Sequence, residues 1–263
     1  MRSHMLRSVV GTIIRRSALR WDIPNKVTRI EVIQQAISRL RCRKYLEIGV
    51  RDGECFCSLT VAEKIGVDPV APQPAVLAEM RKPGVQYFSL TSDDFFQQAA
   101  TQVLADGVDV VFIDGLHTYE QAYRDCSNAL KYLTPGGLIL LHDCLPRSEV
   151  EAQPARNNED AMRILSTVPN GVWVGDVWKA IVRLRSQHSD VQTCVLHSDH
   201  GIGLVHRAQN RSRLQLSLPQ VEAMTYADLV QDPRGLLGLG KARGLMAILE
   251  ELDRQRRENH SVR

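Results

Sequence analysis

The sequence predicts an α/β protein with a doubly wound, seven-stranded, mostly parallel sheet, an antiparallel C-terminal hairpin, and helical N- and C-terminal extensions. Two short apolar runs, Lys44–Gly49 and Val108–Asp114, are typical of buried parallel strands, because both are rich in β-branched residues and stop at a glycine or an aspartate. A third run, Gly137–His142, follows a stretch from His117 to Leu133 whose apolar residues lie on one helical face. Strand, helix and strand in this order indicate a right-handed βαβ unit and therefore a parallel sheet.

The remaining segments divide the chain into an N-terminal extension at 1–24, a central domain at 25–210 and a helical C-terminal extension at 211–263. Residues Arg2 to Met5 could be a cloning remnant. In the front half we expect helices at Asn25–Leu40, Glu54–Lys64, Pro74–Met80 and from Ser92 or Asp93 to Ala100, and strands at Gly66–Asp68 and Val85–Phe88. In the second half we expect a helix at Asp176–Leu184, a hairpin of Val191–Leu196 and Ile202–His206, a polar linker at Ala208–Leu218, and a glycine-interrupted helical region from Gln220 to Arg257.

Composition excludes several classes of protein. The 263 residues are 44% hydrophobic and 24% charged, which excludes wholesale disorder and a coiled-coil rod. A net charge of +3 does not indicate a nucleic-acid or membrane partner. No apolar stretch approaches the roughly 20 residues of a transmembrane helix. Six scattered cysteines without a CxxC pair indicate reduced thiols in a cytoplasmic protein.

The first predicted strand ends in a glycine-containing turn. Glu47, Gly49 and Gly53 lie where the strand meets a helix, and glycine lets the backbone approach a ligand closely. Position 51 is Arg51, so the middle glycine of a dinucleotide-binding turn is missing. Asp68 ends the next strand, where an acid can accept both hydroxyls of a ribose. Turn and acid together favour an adenosine-containing ligand over an ordinary βα turn followed by a helix-capping aspartate.

Three possible metal ligands follow the two central strands. Asp114 ends one strand, and His142 with Asp143 ends its neighbour, so all three reach the crevice where such sheets bind ligands. Two hard oxygens and one imidazole could hold a divalent cation, with the histidine favouring Mn, Fe, Ni or Zn over Mg. The alternative is that these residues only cap turns and bond one another.

His117 lies three residues beyond Asp114 and can face the same crevice. With an ordinary pKa near ~6.5, an imidazole can take a proton from a hydroxyl at physiological pH. We therefore interpret His117 as a general base, the alternative being a solvated or capping histidine. The remaining histidines are interpreted as surface residues at His188, His197, His200 and His260, and as a structural residue at His206.

These motifs together resemble the class I S-adenosylmethionine-dependent methyltransferases. The segments that carry the resemblance are Glu47-x-Gly49-x-x-x-Gly53, Val67-Asp68-Pro69, Phe112–Tyr119 and Leu133–Asp143. Within that class the chain is most similar to the small bacterial O-methyltransferases that act on macrolide sugars and other natural products, the methyltransferase 24-like group. The resemblance covers about residues 25–210 and implies a Rossmann-like fold.

The resemblance also implies site residues. S-adenosylmethionine would contact Gly49 and Gly53 with its methionine part, with Glu47 and Asp114 nearby; Asp68 would hold the ribose, and Thr91 and Ser92 would lie near the adenine. Asp114, His142 and Asp143 match the metal ligands of metal-dependent relatives, so a divalent cation such as Mg or Mn is implied. His117 matches the catalytic base, with Asp114 beside it. His142 departs from the pattern, since many metal-dependent relatives carry an acid there.

The implied reaction is O-methylation of a hydroxylated small molecule. Two alternatives remain: an NAD(P)-dependent oxidoreductase, which the missing middle glycine disfavours, and a non-catalytic protein that binds S-adenosylmethionine. Acceptor selection is expected from the loop Arg147–Asn158, the stretch Gly171–Lys179 and the termini, because such segments vary around the crevice. Trp173 and Trp178 are expected to pack in the core. The Leu-rich tail around Leu236–Leu249 could pack across a two-fold axis in a homo-oligomer or cover its own domain.

Overall fold

The computed structural model describes residues 27–167, 172–241 and 244–261. The predicted N-terminal extension at 1–24 lies outside the described residues. Among the described helices, none is both long enough and apolar enough to cross a lipid bilayer.

A seven-stranded sheet with the order β3-β2-β1-β4-β5-β7-β6 forms the centre of the fold. Its strands are β1 (Lys44–Ile48), β2 (Glu63–Val67), β3 (Val85–Phe88), β4 (Val108–Ile113), β5 (Leu133–Leu141), β6 (Val191–Leu196) and β7 (Ile202–Arg207). The strands from β3 to β5 pair in parallel, whereas β7 pairs antiparallel with both β5 and β6. The predicted fold class, including the antiparallel hairpin, is confirmed.

Helices cover both faces of the sheet. They are α1 (Arg29–Arg39), α2 (Glu54–Ser58), α3 (Pro74–Glu79), α4 (Ser92–Gln98), α5 (Ala100–Val103), α6 (Tyr119–Tyr132), α7 (Asn158–Leu165), α8 (Trp178–Gln187), α9 (Leu218–Ala223), α10 (Tyr226–Gln231), α11 (Pro233–Leu237) and α12 (Gly244–Ser261). Strand β4 shows why the central strands are continuously apolar. Val111 and Ile113 pack on the side of α6 and α8, while Val110 and Phe112 pack on the side of α1 and α12.

Several predicted boundaries were wrong. The helix expected at Glu54–Lys64 ends at Ser58, because Glu63 and Lys64 already pair with β1 and Lys64 donates to the buried Glu79 carboxylate at 2.7 Å. Strand β5 begins at Leu133 rather than Gly137, with a register shift opposite Val108 and Val110. The helix expected from Ser92 to Ala100 is two helices, since Ala99 leaves helical geometry at φ −120°.

The C-terminal extension packs on its own domain. Leu245, Leu249 and Leu252 of α12 are buried against the sheet face that also carries α1, and Leu237 of α11 is buried on the opposite face. The predicted linker Ala208–Leu218 has no regular structure up to Ser217, whose side chain caps α9. Of the two interpretations of the Leu-rich tail, the structure therefore shows the one in which it covers its own domain.

A buried ion pair ties α12 to the amino edge of the sheet. The Asp109 carboxylate accepts hydrogen bonds from the backbone N–H groups of Arg43 (2.8 Å) and Lys44 (2.9 Å) and from the Arg256 guanidinium (2.6 Å). Arg256 also donates to the Gly136 carbonyl at 3.0 Å. Since both side chains are nearly buried, removing one leaves the other charge without compensation.

Replacing Arg256 with alanine is expected to lower the free energy of unfolding by about 2–4 kcal/mol, since a buried carboxylate loses its cation. Urea unfolding followed by circular dichroism measures this change. The neighbouring Arg257→Ala removes an exposed pair with Asp253 and should leave the midpoint unchanged. Equal effects of the two substitutions would contradict the role assigned to Arg256.

Candidate active site

The carboxyl ends of the central strands bring the predicted site residues to one edge. Ile48 pairs with Ile113, and Ile113 pairs with Leu141, so the residues that follow each strand are neighbours. The turn after β1 is tight: Gly49 has φ +89°, and a Cβ there would lie 2.1 Å from the carbonyl oxygen of Asp114. Only glycine fits this position, which places the glycine turn directly beside the end of β4.

Four side chains form a compact group at this edge, here called the acid–histidine cluster: Asp114, His117, His142 and Asp143. Asp114 Oδ1 lies 3.1 Å from His142 Nδ1 and 3.4 Å from His117 Nε2. Asp143 reaches both rings, at 3.2 Å from His117 Nδ1 and 3.2 Å from His142 Nδ1. Asp143 adopts φ +60°, a left-handed conformation that is uncommon outside glycine and is typical of functional sites.

The hydrogen bonds of His117 define which of its nitrogens can exchange a proton. Nδ1 lies 3.1 Å from the Trp173 carbonyl oxygen, which can only accept, so Nδ1 carries a hydrogen. Nε2 is therefore the nitrogen that can gain or lose a proton, and it faces Asp114. This assignment gives the predicted base a defined reacting atom.

Charge pairing shifts the pKa values of the whole cluster. Burial alone would lower the pKa of His117, but the charge of Asp143 and the hydrogen bond and charge of Asp114 raise it to about 9. The same balance raises the pKa of His142 well above its ordinary value. Burial opposes the ionisation of Asp114, yet the two histidines lower its pKa. The two carboxylates therefore favour the protonated form of the His117 ring.

The cluster contains a donor set that fits a divalent cation. Asp114, His117 and Asp143 each offer one ligand atom, and these atoms all lie within 4.8 Å of one another. Carboxylate oxygens and an imidazole nitrogen suit borderline divalent metals, and a bound cation would replace the charge that the imidazole protons supply. His142, the ligand expected from the sequence, lies beside this group with Nδ1 directed at both carboxylates.

The hairpin turn between β6 and β7 contributes residues that sequence reasoning missed. His142 Nε2 is buried without a hydrogen-bond partner among the described residues, 3.6 Å from Asp199 Oδ1. Asp199 also accepts a hydrogen bond from the backbone N–H of Arg29 at 2.7 Å. Asp199 and His200 both have positive φ, which turns the hairpin tip toward the site. The sequence signal that could have identified Asp199 and His200 was the pair of polar residues in the tight Ser-Asp-His-Gly turn.

The histidines expected on the surface are half-buried where the structure describes them. The ring of His200 lies 6.2 Å from that of His142, because the hairpin tip folds over the cluster. His188 Nε2 lies 3.0 Å from the Tyr123 hydroxyl, and His197 is also only partly exposed. The side chain of His260 lies outside the described residues. His206 is buried, in agreement with a structural role.

Asp68 and Glu47 both lie at this edge of the sheet. Asp68 is 7% exposed, with Oδ2 accepting from the backbone N–H of Arg51 and Oδ1 from that of Val70, both at 2.8 Å. Each oxygen keeps a lone pair, so the carboxylate is held in place and can still accept a hydroxyl. Burial raises the pKa of Glu47 to about 8 despite a 2.6 Å hydrogen bond from the Tyr45 hydroxyl. Glu47 is therefore mostly protonated at neutral pH.

The hydroxyls of Thr91 and Ser92 are engaged within the protein. Thr91 Oγ1 accepts from the backbone N–H of Asp94 at 3.1 Å and caps α4. Ser92 Oγ accepts from Gln121 Nε2 at 3.0 Å. Both residues follow β3, whose end lies beside Asp68, since the Asp68 N–H donates to the Phe88 carbonyl at 3.1 Å.

A wall of the site contacts His117 through the Trp173 carbonyl and lines a cavity of about 430 Å³ with Asp176 and Trp178. The wall is the segment 172–178, in which Trp178 is buried and Trp173, also buried, donates from Nε1 to the Gln153 carbonyl at 2.7 Å, confirming the packing role of both. The cavity is lined by Glu149, Val150, Ala152, Gln153, Pro154, Asp176, Trp178, Lys179, Met224, Thr225 and Tyr226. Both segments expected to select the acceptor thus meet here, together with residues of the C-terminal extension.

Part of the chain matches a known protein family. Residues 46–144 match the model of a family described as a methyltransferase domain. An uncharacterized protein, R132, of Acanthamoeba polyphaga mimivirus is 28% identical over 111 residues, which are 38% of this chain and 50% of that protein. The chain thus spans about half the length of the curated relative it matches.

Two solved structures are among those similar to this chain. An O-methyltransferase of Bacillus cereus, in complex with SAH, is 17% identical, with 67% of this chain and 79% of that chain covered and a TM-score of 0.44. MycE methyltransferase of the mycinamycin biosynthetic pathway, in complex with Mg, SAH and mycinamycin VI, is 16% identical, with 68% and 49% covered and a TM-score of 0.44.

The family match covers residues 46–144, which include the glycine turn and the acid–histidine cluster. Over these residues, the predicted resemblance to S-adenosylmethionine-dependent enzymes of the methyltransferase 24-like group is confirmed. The alternative of a nicotinamide-dependent oxidoreductase is set aside, since the matched family is one of methyltransferases.

The pairing of His117 predicts a measurable titration. In chelator-treated protein its imidazole should titrate at about 9 rather than at 6.5, as followed by long-range 1H–15N NMR. Because the folded-state pKa is raised, the stability gained from this pairing is fully present below pH 6.5 and is lost as the pH rises through about 9. His117→Gln should abolish this part of the pH dependence. Titration of His117 near 6.5 would contradict the geometry of the cluster.

Proposed function

We propose that the protein transfers the methyl group of S-adenosylmethionine to a hydroxyl of a small molecule, with His117 as general base. The observation that carries the proposal is the position of His117 Nε2, 3.4 Å from Asp114 at the strand edge that also holds the glycine turn. An imidazole at this place lies where a sulfonium bound beside Gly49 would meet an acceptor oxygen.

The cofactor is expected to lie across the ends of β1 and β2. Asp68 accepts the ribose hydroxyls with its remaining lone pairs, and the segment beginning at Thr91 and Ser92 borders the adenine. Because the hydroxyls of those two residues bond within the protein, their contribution to the adenine site is through shape and backbone. Gly49 and Gly53, both with positive φ, let the methionine part approach the backbone.

Methyl transfer requires alignment and removal of one proton. The acceptor oxygen attacks the methyl carbon as the sulfur–carbon bond breaks, giving a methyl ether and S-adenosylhomocysteine, while the hydroxyl proton passes to His117 Nε2. His117 must be neutral for this step, and the positive sulfonium near Asp114 offsets the carboxylate charge that keeps the ring protonated. A divalent cation held by Asp114, His142 and Asp143 would lower the pKa of a coordinated hydroxyl and would leave His117 Nε2 as the proton acceptor.

The acceptor is expected to extend from the cluster toward the cavity that Asp176 and Trp178 line. Two carboxylates line that cavity, Glu149 and Asp176, together with the Lys179 ammonium and the rings of Trp178 and Tyr226. Such a mixture of rings and polar groups suits a hydroxylated molecule with apolar faces, such as a sugar or a glycosylated natural product. The proposal therefore gives the C-terminal extension a part in substrate selection.

Two substitutions separate the binding role from the chemical role. His117→Gln is expected to lower kcat by about 10²–10⁴-fold, since it removes the proton acceptor, and to leave the Kd for S-adenosylhomocysteine unchanged. Asp68→Asn is expected to raise that Kd about 10- to 100-fold, since a charge-assisted acceptor for two hydroxyls is weakened. Calorimetry gives Kd, and S-adenosylhomocysteine release with a panel of hydroxylated acceptors gives kcat.

The controls decide between the enzyme and a non-catalytic binding protein. Asp106→Asn, an exposed aspartate with the same change of charge, should alter neither quantity. Wild-type protein that binds S-adenosylhomocysteine but methylates no acceptor, with or without divalent metal, would favour the non-catalytic alternative. A turnover that His117→Gln leaves intact would exclude His117 as the base.

The cavity makes a separate prediction for the acceptor. Tyr226→Ala should raise KM for the acceptor about 10-fold without changing the affinity for S-adenosylhomocysteine, because a ring that borders the cavity is lost. Tyr226→Phe keeps the ring and should retain most of the wild-type KM. A KM unchanged in both variants would show that the acceptor does not reach this cavity.

A further inference from the structure

We propose that Arg29, at the start of α1, binds the α-carboxylate at the methionine end of the cofactor, an inference that rests on the proposed use of S-adenosylmethionine. No motif in the sequence marks this residue, and it lies outside the segment 46–144 that matches the methyltransferase family. The inference follows from the position and partners of its guanidinium.

The Arg29 guanidinium bridges the residue that follows the glycine turn and the hairpin tip that borders the acid–histidine cluster. One terminal nitrogen, NH2, is 2.5 Å from Glu54 Oε2, and Glu54 directly follows Gly53. The other, NH1, is 3.5 Å from Asp199 Oδ2, whose second oxygen faces His142. The guanidinium therefore spans the space in which the methionine part of the cofactor is expected.

Part of this guanidinium is available to a ligand. Nε of Arg29 is buried and has no hydrogen-bond partner among the described residues. The Glu54 side chain is 61% exposed, so its pair with Arg29 is worth little and can be exchanged for another carboxylate. A guanidinium offers two parallel N–H donors to a carboxylate, which makes it a better partner than a point charge.

The negative charges of the acids around this position favour a cation here. The methionine end of the cofactor is a zwitterion, with an ammonium and a carboxylate on the same carbon. Asp114 and Asp199 are charged acids close to Arg29, and their charges raise its pKa although burial opposes this. Acids attract the ammonium and the sulfonium but repel the carboxylate, so a nearby guanidinium lets the site accept both ends of the zwitterion.

Calorimetry with two ligands tests this role in the whole protein. S-adenosylhomocysteine carries the amino-acid group, whereas 5′-methylthioadenosine shares its adenosine and sulfur but lacks that group. Arg29→Gln is expected to weaken binding of S-adenosylhomocysteine about 10- to 100-fold and to change binding of 5′-methylthioadenosine less than about 2-fold, because only the first ligand has the carboxylate. A structural role alone would weaken both ligands equally, and that result would overturn the proposal.

Two further variants keep the test decisive. Arg39→Gln removes an exposed arginine at the other end of α1 and should leave the ratio of the two Kd values unchanged; a selective loss there, with none in Arg29→Gln, overturns the proposal. Glu54→Gln frees the guanidinium without removing it, so affinity for S-adenosylhomocysteine should stay equal or rise a few-fold. If Arg29→Gln does not fold, a selective loss of S-adenosylhomocysteine affinity in Glu54→Gln overturns the proposal, and retained or increased affinity supports it.

Failure of the proposed function is distinguishable from failure of this inference. Wild-type protein that binds neither ligand contradicts the use of S-adenosylmethionine and overturns both. Wild-type protein that binds both ligands, combined with an Arg29→Gln variant that shows no selective loss, overturns only the role of Arg29.

Discussion

The arrangement of the site depends on two carboxylates at the carboxyl edge of the parallel sheet. Their negative charges must be neutralised. Asp114 and Asp143 follow adjacent strands, so their charges lie close together in a poorly hydrated place. Their charges raise the pKa values of His117 and His142, and the protonated rings that this favours compensate the two carboxylates. The same requirement makes the cluster receptive to other positive charge, whether a divalent cation or the sulfonium of a cofactor. A structural charge balance and a chemical function therefore come from one arrangement.

The buried charges at the two edges of the sheet have different kinds of partners. At the amino edge, Asp109 accepts hydrogen bonds from two backbone N–H groups, from the Thr134 hydroxyl and from Arg256, which joins α12 to the sheet. At the carboxyl edge, the cluster is held by the hairpin tip through Asp199 and by the wall segment through the Trp173 carbonyl. Its partners are side chains whose protons and contacts can be exchanged. The amino edge therefore holds a fixed ion pair, and the carboxyl edge holds the groups proposed to react.

Local pattern was sufficient to predict the sheet and the residues at its strand ends, because buried parallel strands are continuous apolar runs that stop at glycine or aspartate. It failed where tertiary contacts override local preference, as at Lys64, which looked helical but pairs with β1 and with Glu79. It also missed partners far apart in the chain: Arg29 and Asp199 are separated by 170 positions. The raised pKa of His117 likewise depends on Asp143, which no spacing rule relates to it.

A structure of the protein crystallised with S-adenosylhomocysteine tests the account most directly. The account predicts adenosine density with both ribose hydroxyls on Asp68, and the sulfur beside Gly49, directed toward Asp114 and His117. A ligand bound elsewhere, or bound at this edge with its sulfur turned away from the acid–histidine cluster, would contradict it.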